Sequence, residues 1–206
     1  MENIICLIIG YCFGCASPAA WIARWKGVDL RRAGSGNLGG TNTMLVIGPK
    51  YGFAVMILDA LKAVFAGAVA ARLFPKLAAA ALVAGLGAIL GHIWPFWMGF
   101  RGGKGLAAFA GMILYHHWPL FFLLLAIGMV LMLLVNYSFI APMSAAVLFP
   151  FFAAARARSR KVFWVSAAAS AIIIWKHWSN IGKALRGDDV RVREYIRDHL
   201  MPGGNS

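Results

Sequence analysis

The hydrophobic positions of this chain gather into long, almost unbroken runs, and the polar positions gather between them. Apolar runs occupy residues 3–23, 51–72, 77–98, 105–115, 119–135, 138–155 and 162–175. Most approach the roughly 20 residues that carry a helix across a bilayer. None shows the period-two alternation of a barrel strand, and backbone groups in lipid are otherwise satisfied only within helices. The pattern predicts an all-α polytopic membrane protein of about seven transmembrane helices. The fourth and seventh runs are short, which leaves five or six spans as alternatives. No polar stretch is long enough to fold separately, so residues 1–206 read as a single integral membrane domain with a peripheral or disordered tail over about 188–206. The chain end, GDDVRVREYIRDHLMPGGNS, reads as a short amphipathic helix and a loose terminus suited to the membrane surface.

Composition agrees. The chain is 61% hydrophobic and 13% charged, with a mean hydropathy of +0.74, whereas a soluble domain carries about 25% charged residues. The remaining charge is lopsided, with 20 Lys and Arg against 7 Asp and Glu. In a soluble protein that excess would suggest nucleic acid. In a membrane protein it reflects basic cytoplasmic loops and attraction to anionic headgroups or substrates, so membrane lipids, and no nucleic acid, are the expected partners. With the N-terminus outside and the C-terminus cytoplasmic, 13 Lys and Arg face the cytoplasm and 6 face out. The run Arg156-Ala-Arg158-Ser-Arg160-Lys161 falls on the outer side and speaks for fewer spans. The first apolar run has no basic residue before it and reads as a retained span rather than a leader. Cys6, Cys12 and Cys15 all lie in that run without a Cys/His cluster, so neither a disulfide framework nor a metal site is expected.

The polar, glycine-rich stretches fall at 33–43, 91–105 and 176–187, each after an odd-numbered run, and therefore on one face, the cytoplasmic one. The first contains Gly34-Ser35-Gly36-Asn37-Leu38-Gly39, which satisfies G-x-G-x-x-G. A dinucleotide site would need a strand before it and an acidic residue at a strand end about 20 residues on. Here a membrane span precedes it, and Asp59 lies deep in an apolar run. What remains is an anion cradle in which glycines let backbone N–H groups converge and Ser35, Asn37, Thr41 and Asn42 add neutral donors; a solvated linker is the alternative.

The second stretch, Phe100-Arg101-Gly102-Gly103-Lys104-Gly105, lacks the spacing and the Ser or Thr of a nucleotide P-loop. Lys104 can still meet a phosphate as a point charge at a helix start, while Arg101 reads equally as a membrane anchor. His92 could be an interface residue as well as a functional group. In the third stretch, His177 and Asn180 lie one helical turn apart and share a face. His116 and His117 fall on the opposite side and read as a loop. Asp59 and Lys62, also one turn apart within a span, read as an inward-facing ion pair, with a substrate path as the alternative.

Together the stretches SGNLGGTNTML (35–45), GHIWPFWMGFRGGKG (91–105) and HWSNI (177–181) resemble the three motifs of the bacterial membrane acyl-phosphate:glycerol-3-phosphate acyltransferases, and Asp59-Ala-Leu-Lys62 resembles that family's D-x-x-K step. The resemblance implies a helical enzyme of the bacterial cell membrane, working at the cytoplasmic face without metal or other cofactor. It would move a fatty acyl group from acyl phosphate to the 1-hydroxyl of glycerol 3-phosphate, giving lysophosphatidate and phosphate, with a soluble acyl-phosphate-producing enzyme as a possible partner. Ser35, Asn37, Thr41 and Asn42 would bind phosphate on a loop shaped by Gly36 and Gly39, with Gly103 beside them. Lys104 would bind and polarise a phosphate, and His177 and Asn180 would orient the acceptor. No Ser/His/Asp triad is visible, so direct transfer between two bound substrates is expected, with the substrate phosphate taking the proton.

The chain departs from the family pattern at several positions. Leu45 stands where the first motif has arginine, Gly40 where alanine is usual, and Trp178 and Ser179 where Arg and Glu are common, although Lys183 keeps one nearby charge. Near the fifth span only Ser138 remains of the family's small serines, with Phe139 and Pro142 in the other places. Another acceptor, or loss of activity, is the first alternative reading. A small transporter is the second, but it would place polar residues at mid-membrane in two related halves.

Overall fold

The computed structural model describes residues 1–137, 139–186, 191 and 193. Its helices are α1 (Glu2–Gly14), α2 (Pro18–Trp25), α3 (Gly40–Val46), α4 (Pro49–Leu73), α5 (Ala80–Ile93), α6 (Leu106–His116), α7 (Trp118–Val135), α8 (Ile140–Ala157), α9 (Arg160–Lys176) and α10 (Trp178–Leu185). Among the described residues, extended pairing is confined to one isolated bridge, Tyr137 with Arg191. The all-α multi-pass expectation holds.

Among the described residues, five stretches are long and apolar enough to cross a membrane: Glu2–Trp25, Pro49–Leu73, Ala80–Met98, Trp118–Val135 and Ile140–Ala157. The two runs noted as short are α6, with 11 residues, and α9, with 17. At about 1.5 Å per residue, α6 covers only about half of a ~30 Å hydrocarbon core.

The first span is broken. Ser17 starts a new helix, its Oγ accepting from Ala20 N at 3.4 Å, with Pro18 at the first helical position. Proline there has no N–H to continue the ladder of the preceding helix, and Ala20 N turns to Ser17 Oγ, so the chain leaves the helix with the carbonyls of Cys15 and Ala16 open to other donors. Trp97 Nε1 donates to Cys15 O at 2.8 Å, and Lys62 Nζ donates to Ala16 O at 2.7 Å.

Helices α1 and α5 touch backbone to backbone. A Cβ on Gly10 or Gly14 would fall on the carbonyls of Ala84 or Ala88, and one on Gly87 or Gly91 on those of Leu7 or Tyr11. Two G-x-x-x-G steps face each other across this seam, the small-residue packing that lets membrane helices approach closely. The core beside it is built of Ala63, Ala66, Ala70, Ala84 and Ala88 with larger side chains such as Ile89 and Phe109, the latter edge-to-face with Phe149 at 5.7 Å. Large apolar side chains including Phe53, Ile57, Phe65, Phe122, Leu134 and Trp164 point outward. Lipid, not water, is the solvent that suits such a surface.

Candidate active site at one end of the bundle

The stretch from Ala33 to Val46 is organised by its own side chains. Gly34 and Gly36 take positive φ of 59° and 70°, and the intervening Ser35 N–H donates to Asn42 Oδ1 at 2.8 Å. Asn42 Nδ2 donates to Leu30 O at 3.0 Å and to Ala33 O at 3.1 Å. Both amide protons are thereby committed, and the residue is buried. Asn42 was expected among the phosphate donors; its geometry instead makes it the staple that holds the loop. Thr43 Oγ1 closes the turn onto Gly39 O at 3.0 Å. Ser35 and Thr41 are exposed and Asn37 is half-buried, so their polar atoms remain open to a ligand. The side chain of Leu45 is 71% exposed and contributes no cation at the expected clamp position.

The second loop folds back onto α5. Gly102 N donates to Ile93 O at 2.9 Å and Gly103 N to His92 O at 3.1 Å. Tyr11 Oη donates to Trp94 O at 2.7 Å, and Arg31 Nη2 reaches from the first loop to Met98 O at 3.2 Å and Arg101 O at 2.8 Å. Gly103 is where the loops meet: a Cβ there would fall on His92 Nε2 and 2.5 Å from Leu38 O. Beside this junction, between α2 and the two loops, lies a cleft of about 340 Å³ whose walls include Arg24, Asp29, Arg31 and Trp97.

Lys104 follows directly, and its Nζ donates to Asn180 Oδ1 on α10 at 2.9 Å. His177, which ends α9, is tied to Asn180 through Asn180 N to His177 O at 2.9 Å. The His177 ring is buried, with Nδ1 held 2.8 Å from Ile173 O. A carbonyl only accepts, so Nδ1 carries the proton and Nε2 is the acceptor. Burial, with the nearby Lys104 and Lys176 charges, pushes the imidazole below its ordinary 6.5, partly offset by the Ile173 bond. The histidine is therefore neutral at physiological pH. Lys104, His177 and Asn180 thus come together, and Gly103 joins them to the first loop.

Asp59 and Lys62 form the expected ion pair, 2.7 Å apart and buried. His92 joins it, Nδ1 lying 2.9 Å from Lys62 Nζ and 3.2 Å from Asp59 Oδ1. That third member was left open by the sequence, as were the Arg31 tether and the Tyr11 and Trp97 anchors. The Ser17-Pro18 step inside an apolar run was the available signal for the helix break that Lys62 and Trp97 use. An apolar groove of about 500 Å³ runs between the α1–α2 break and α4, with Phe13, Trp21, Leu58, Leu61 and Phe65 in its walls and Lys62 at its edge. Among the described residues, no group of three or more His, Cys, Asp or Glu could hold a metal ion. Phe139 is placed just before α8 and Pro142 within it. Ser138, the Lys183 side chain, and residues 187–190, 192 and 194–206, which carry the tail reading, lie outside the described residues. Of the chain end, Arg193 reaches Asn136 Oδ1 through its backbone N–H at 2.7 Å and Leu133 O through Nη2 at 2.8 Å.

A multi-pass helical membrane protein with glycine loops, one lysine and a neutral histidine gathered at one end defines the class. The sequence model of the glycerol-3-phosphate acyltransferase family matches residues 4–187, and the chain belongs to that family. Curated relatives include the glycerol-3-phosphate acyltransferase of Synechococcus sp. (strain CC9902), 34% identical over 196 residues, covering 94% of this chain and 97% of the relative. That of Lactiplantibacillus plantarum is 35% identical over 190 residues, covering 92% and 91%. The crystal structure of the integral membrane glycerol 3-phosphate acyltransferase PlsY in its glycerol 3-phosphate form superposes with a TM-score of 0.84, at 30% identity, covering 93% of this chain and 96% of that one. The lysophosphatidic acid form superposes with a TM-score of 0.82 at 29% identity, covering 93% and 95%.

Proposed function

We propose that this protein transfers a fatty acyl group from acyl phosphate to the 1-hydroxyl of glycerol 3-phosphate, releasing lysophosphatidate and inorganic phosphate. The observation that carries the reading is the meeting of Lys104 with Asn180 and His177 at the junction of the two glycine loops. Two phosphorylated substrates need anion sites close together. Ser35, Asn37 and Thr41 with the first-loop N–H groups supply one, and Lys104 supplies the charge of the other. The apolar groove beside Lys62 suits the acyl chain.

In the reaction the acceptor oxygen attacks the acyl carbonyl carbon, the bond from that carbon to the phosphate oxygen breaks, and phosphate leaves. The hydroxyl proton passes to substrate phosphate. His177 Nε2 accepts from the acceptor's other hydroxyl and so orients it, and Lys104 offsets charge on the departing phosphate. Both groups are preorganised, which is where such a site obtains its rate. The chain acts as a single membrane domain, with α9 and the short α6, extended by the segments that flank it, completing seven traverses. The N-terminus then lies outside and the loops, Lys104 and the C-terminus on the cytoplasmic side of a bacterial cell membrane, where a soluble enzyme can deliver acyl phosphate.

The test is purified protein in detergent with palmitoyl phosphate and glycerol 3-phosphate, following phosphate and lysophosphatidate. Stoichiometric release of both supports the reading. Release of neither, at saturating substrate, removes it. Trapping of a stable acyl-enzyme would overturn direct transfer alone.

A further inference from the structure

The buried cluster of Asp59, Lys62 and His92 takes no step in the reaction described above, though Lys62 also edges the apolar groove, and it underlies the glycine junction. Lys62 Nζ has three protons and three acceptors: Asp59 Oδ1 at 2.7 Å, Ala16 O at 2.7 Å and His92 Nδ1 at 2.9 Å. His92 Nδ1 also lies 3.2 Å from Asp59 Oδ1, so the two contacts demand opposite tautomers. The shorter one decides. A proton on Nδ1 would face the ammonium head-on, whereas a lone pair there receives its third proton. A neutral imidazole that accepts at Nδ1 carries its proton on Nε2. That nitrogen and the Leu38 carbonyl oxygen of the first loop lie on the same side of Gly103, about the point where a Cβ would stand.

We propose that Asp59, Lys62 and His92 form a positioning triad for acyl transfer. The buried ion pair sets the His92 tautomer and so presents an Nε2–H, rather than a bare lone pair, to the side of Gly103 that the Leu38 carbonyl shares, and Lys104 and the first loop address their phosphates in one register. The proposal rests on the acyltransferase reading. It explains why a buried ion pair is kept at a site where apolar residues would fold as well: the pair selects one of two imidazole protonation patterns. It also gives the helix break a role, since Ala16 O is the acceptor that leaves only one ammonium proton for His92.

The triad is tested first without any variant. In micelle-solubilised protein with nitrogen-15-labelled histidine, the His92 resonances, assigned with His92→Phe, report the tautomer. Nε2–H supports the proposal and Nδ1–H or imidazolium overturns it. The second arm is kinetic. Asp59→Leu with Lys62→Met removes both charges together and should preserve the fold, checked by gel filtration and melting temperature. Its kcat should fall roughly ten- to hundredfold, the scale of a misplaced reacting group. Adding His92→Gln puts an amide N–H where Nε2 stood, independent of any tautomer, and should recover at least threefold. A triad with only a structural role gives no such rescue. Full activity in the folded double variant, or no recovery in the triple, overturns the proposal. Absence of turnover in the wild type would instead remove the acyltransferase reading itself.

Discussion

Lys104→Met should be the most damaging single change at the site, and its effect should be coupled to that of Asn180→Ala. The ammonium is held 2.9 Å from Asn180 Oδ1, between residues 76 apart in sequence. Losing a preorganised group that stabilises developing charge lowers kcat by about 10²–10³-fold, and methionine preserves the stem. A hydrogen bond to a charged group is worth about 1.5–3 kcal/mol, so Asn180→Ala, which leaves the charge but frees its position, should cost about tenfold to a hundredfold. If Asn180 acts mainly by aiming Lys104, the double variant should be little worse than Lys104→Met alone, since residues sharing one contact are not additive. Stability should hardly follow. Both groups are only partly buried, and about 1 kcal/mol moves the melting temperature of a chain this size by about 2–4 °C. The assay is phosphate release at varied concentrations of both substrates, with melting measured on the same samples. Lys104→Met within threefold of wild type would refute the role. Fully additive losses would refute the aiming of Lys104 by Asn180.

Three further outcomes are expected. Gly103→Ala places a methyl on His92 Nε2 and against the Leu38 carbonyl; it should abolish most turnover by parting the loops, and wild-type kinetics would contradict the loop junction. The His177 imidazole is depressed by burial and nearby cations, so the unfolded chain binds a proton that the folded chain refuses. Its contribution to stability is full above about 6.5 and is lost as pH falls through the depressed folded value. The pH profile of kcat/KM should therefore stay flat below 6.5 before dropping, and His177→Gln should remove that acidic limb. Leu45→Arg restores a guanidinium on an exposed position of α3; if glycerol 3-phosphate is the acceptor, its KM should fall by about tenfold, the scale of one charge-assisted hydrogen bond.

Much of the fold was legible because membrane insertion is read locally. A run such as 51–72 announces α4 whatever surrounds it, and basic, glycine-rich connectors announce themselves by type. The motif positions were legible for the same reason, and so was the pairing of Asp59 with Lys62, one helical turn apart. The break in the first span was signalled by Ser17-Pro18 but masked by the apolar residues on both sides. The G-x-x-x-G steps at Gly10–Gly14 and Gly87–Gly91 were visible one by one, but their pairing across 77 positions was not.

The sequence by itself determined the solvent, the helices, and the kinds of group available to meet a phosphate. Only the tertiary structure decided which of those groups are spent on holding the fold and which are left open. Asn42 belongs by type with Ser35 and Thr41, yet its amide turns inward to Leu30 and Ala33. His92 could have been an interface residue until α4 and α5 packed closely enough to bring Lys62 within 2.9 Å. Lys104 meets Asn180 because the second loop folds back on α5 and α9 returns to the same end. Residue type is a property of one position, whereas side-chain direction and partnership follow from how closely helices approach. Here that approach is set by small residues far from the groups they bring together.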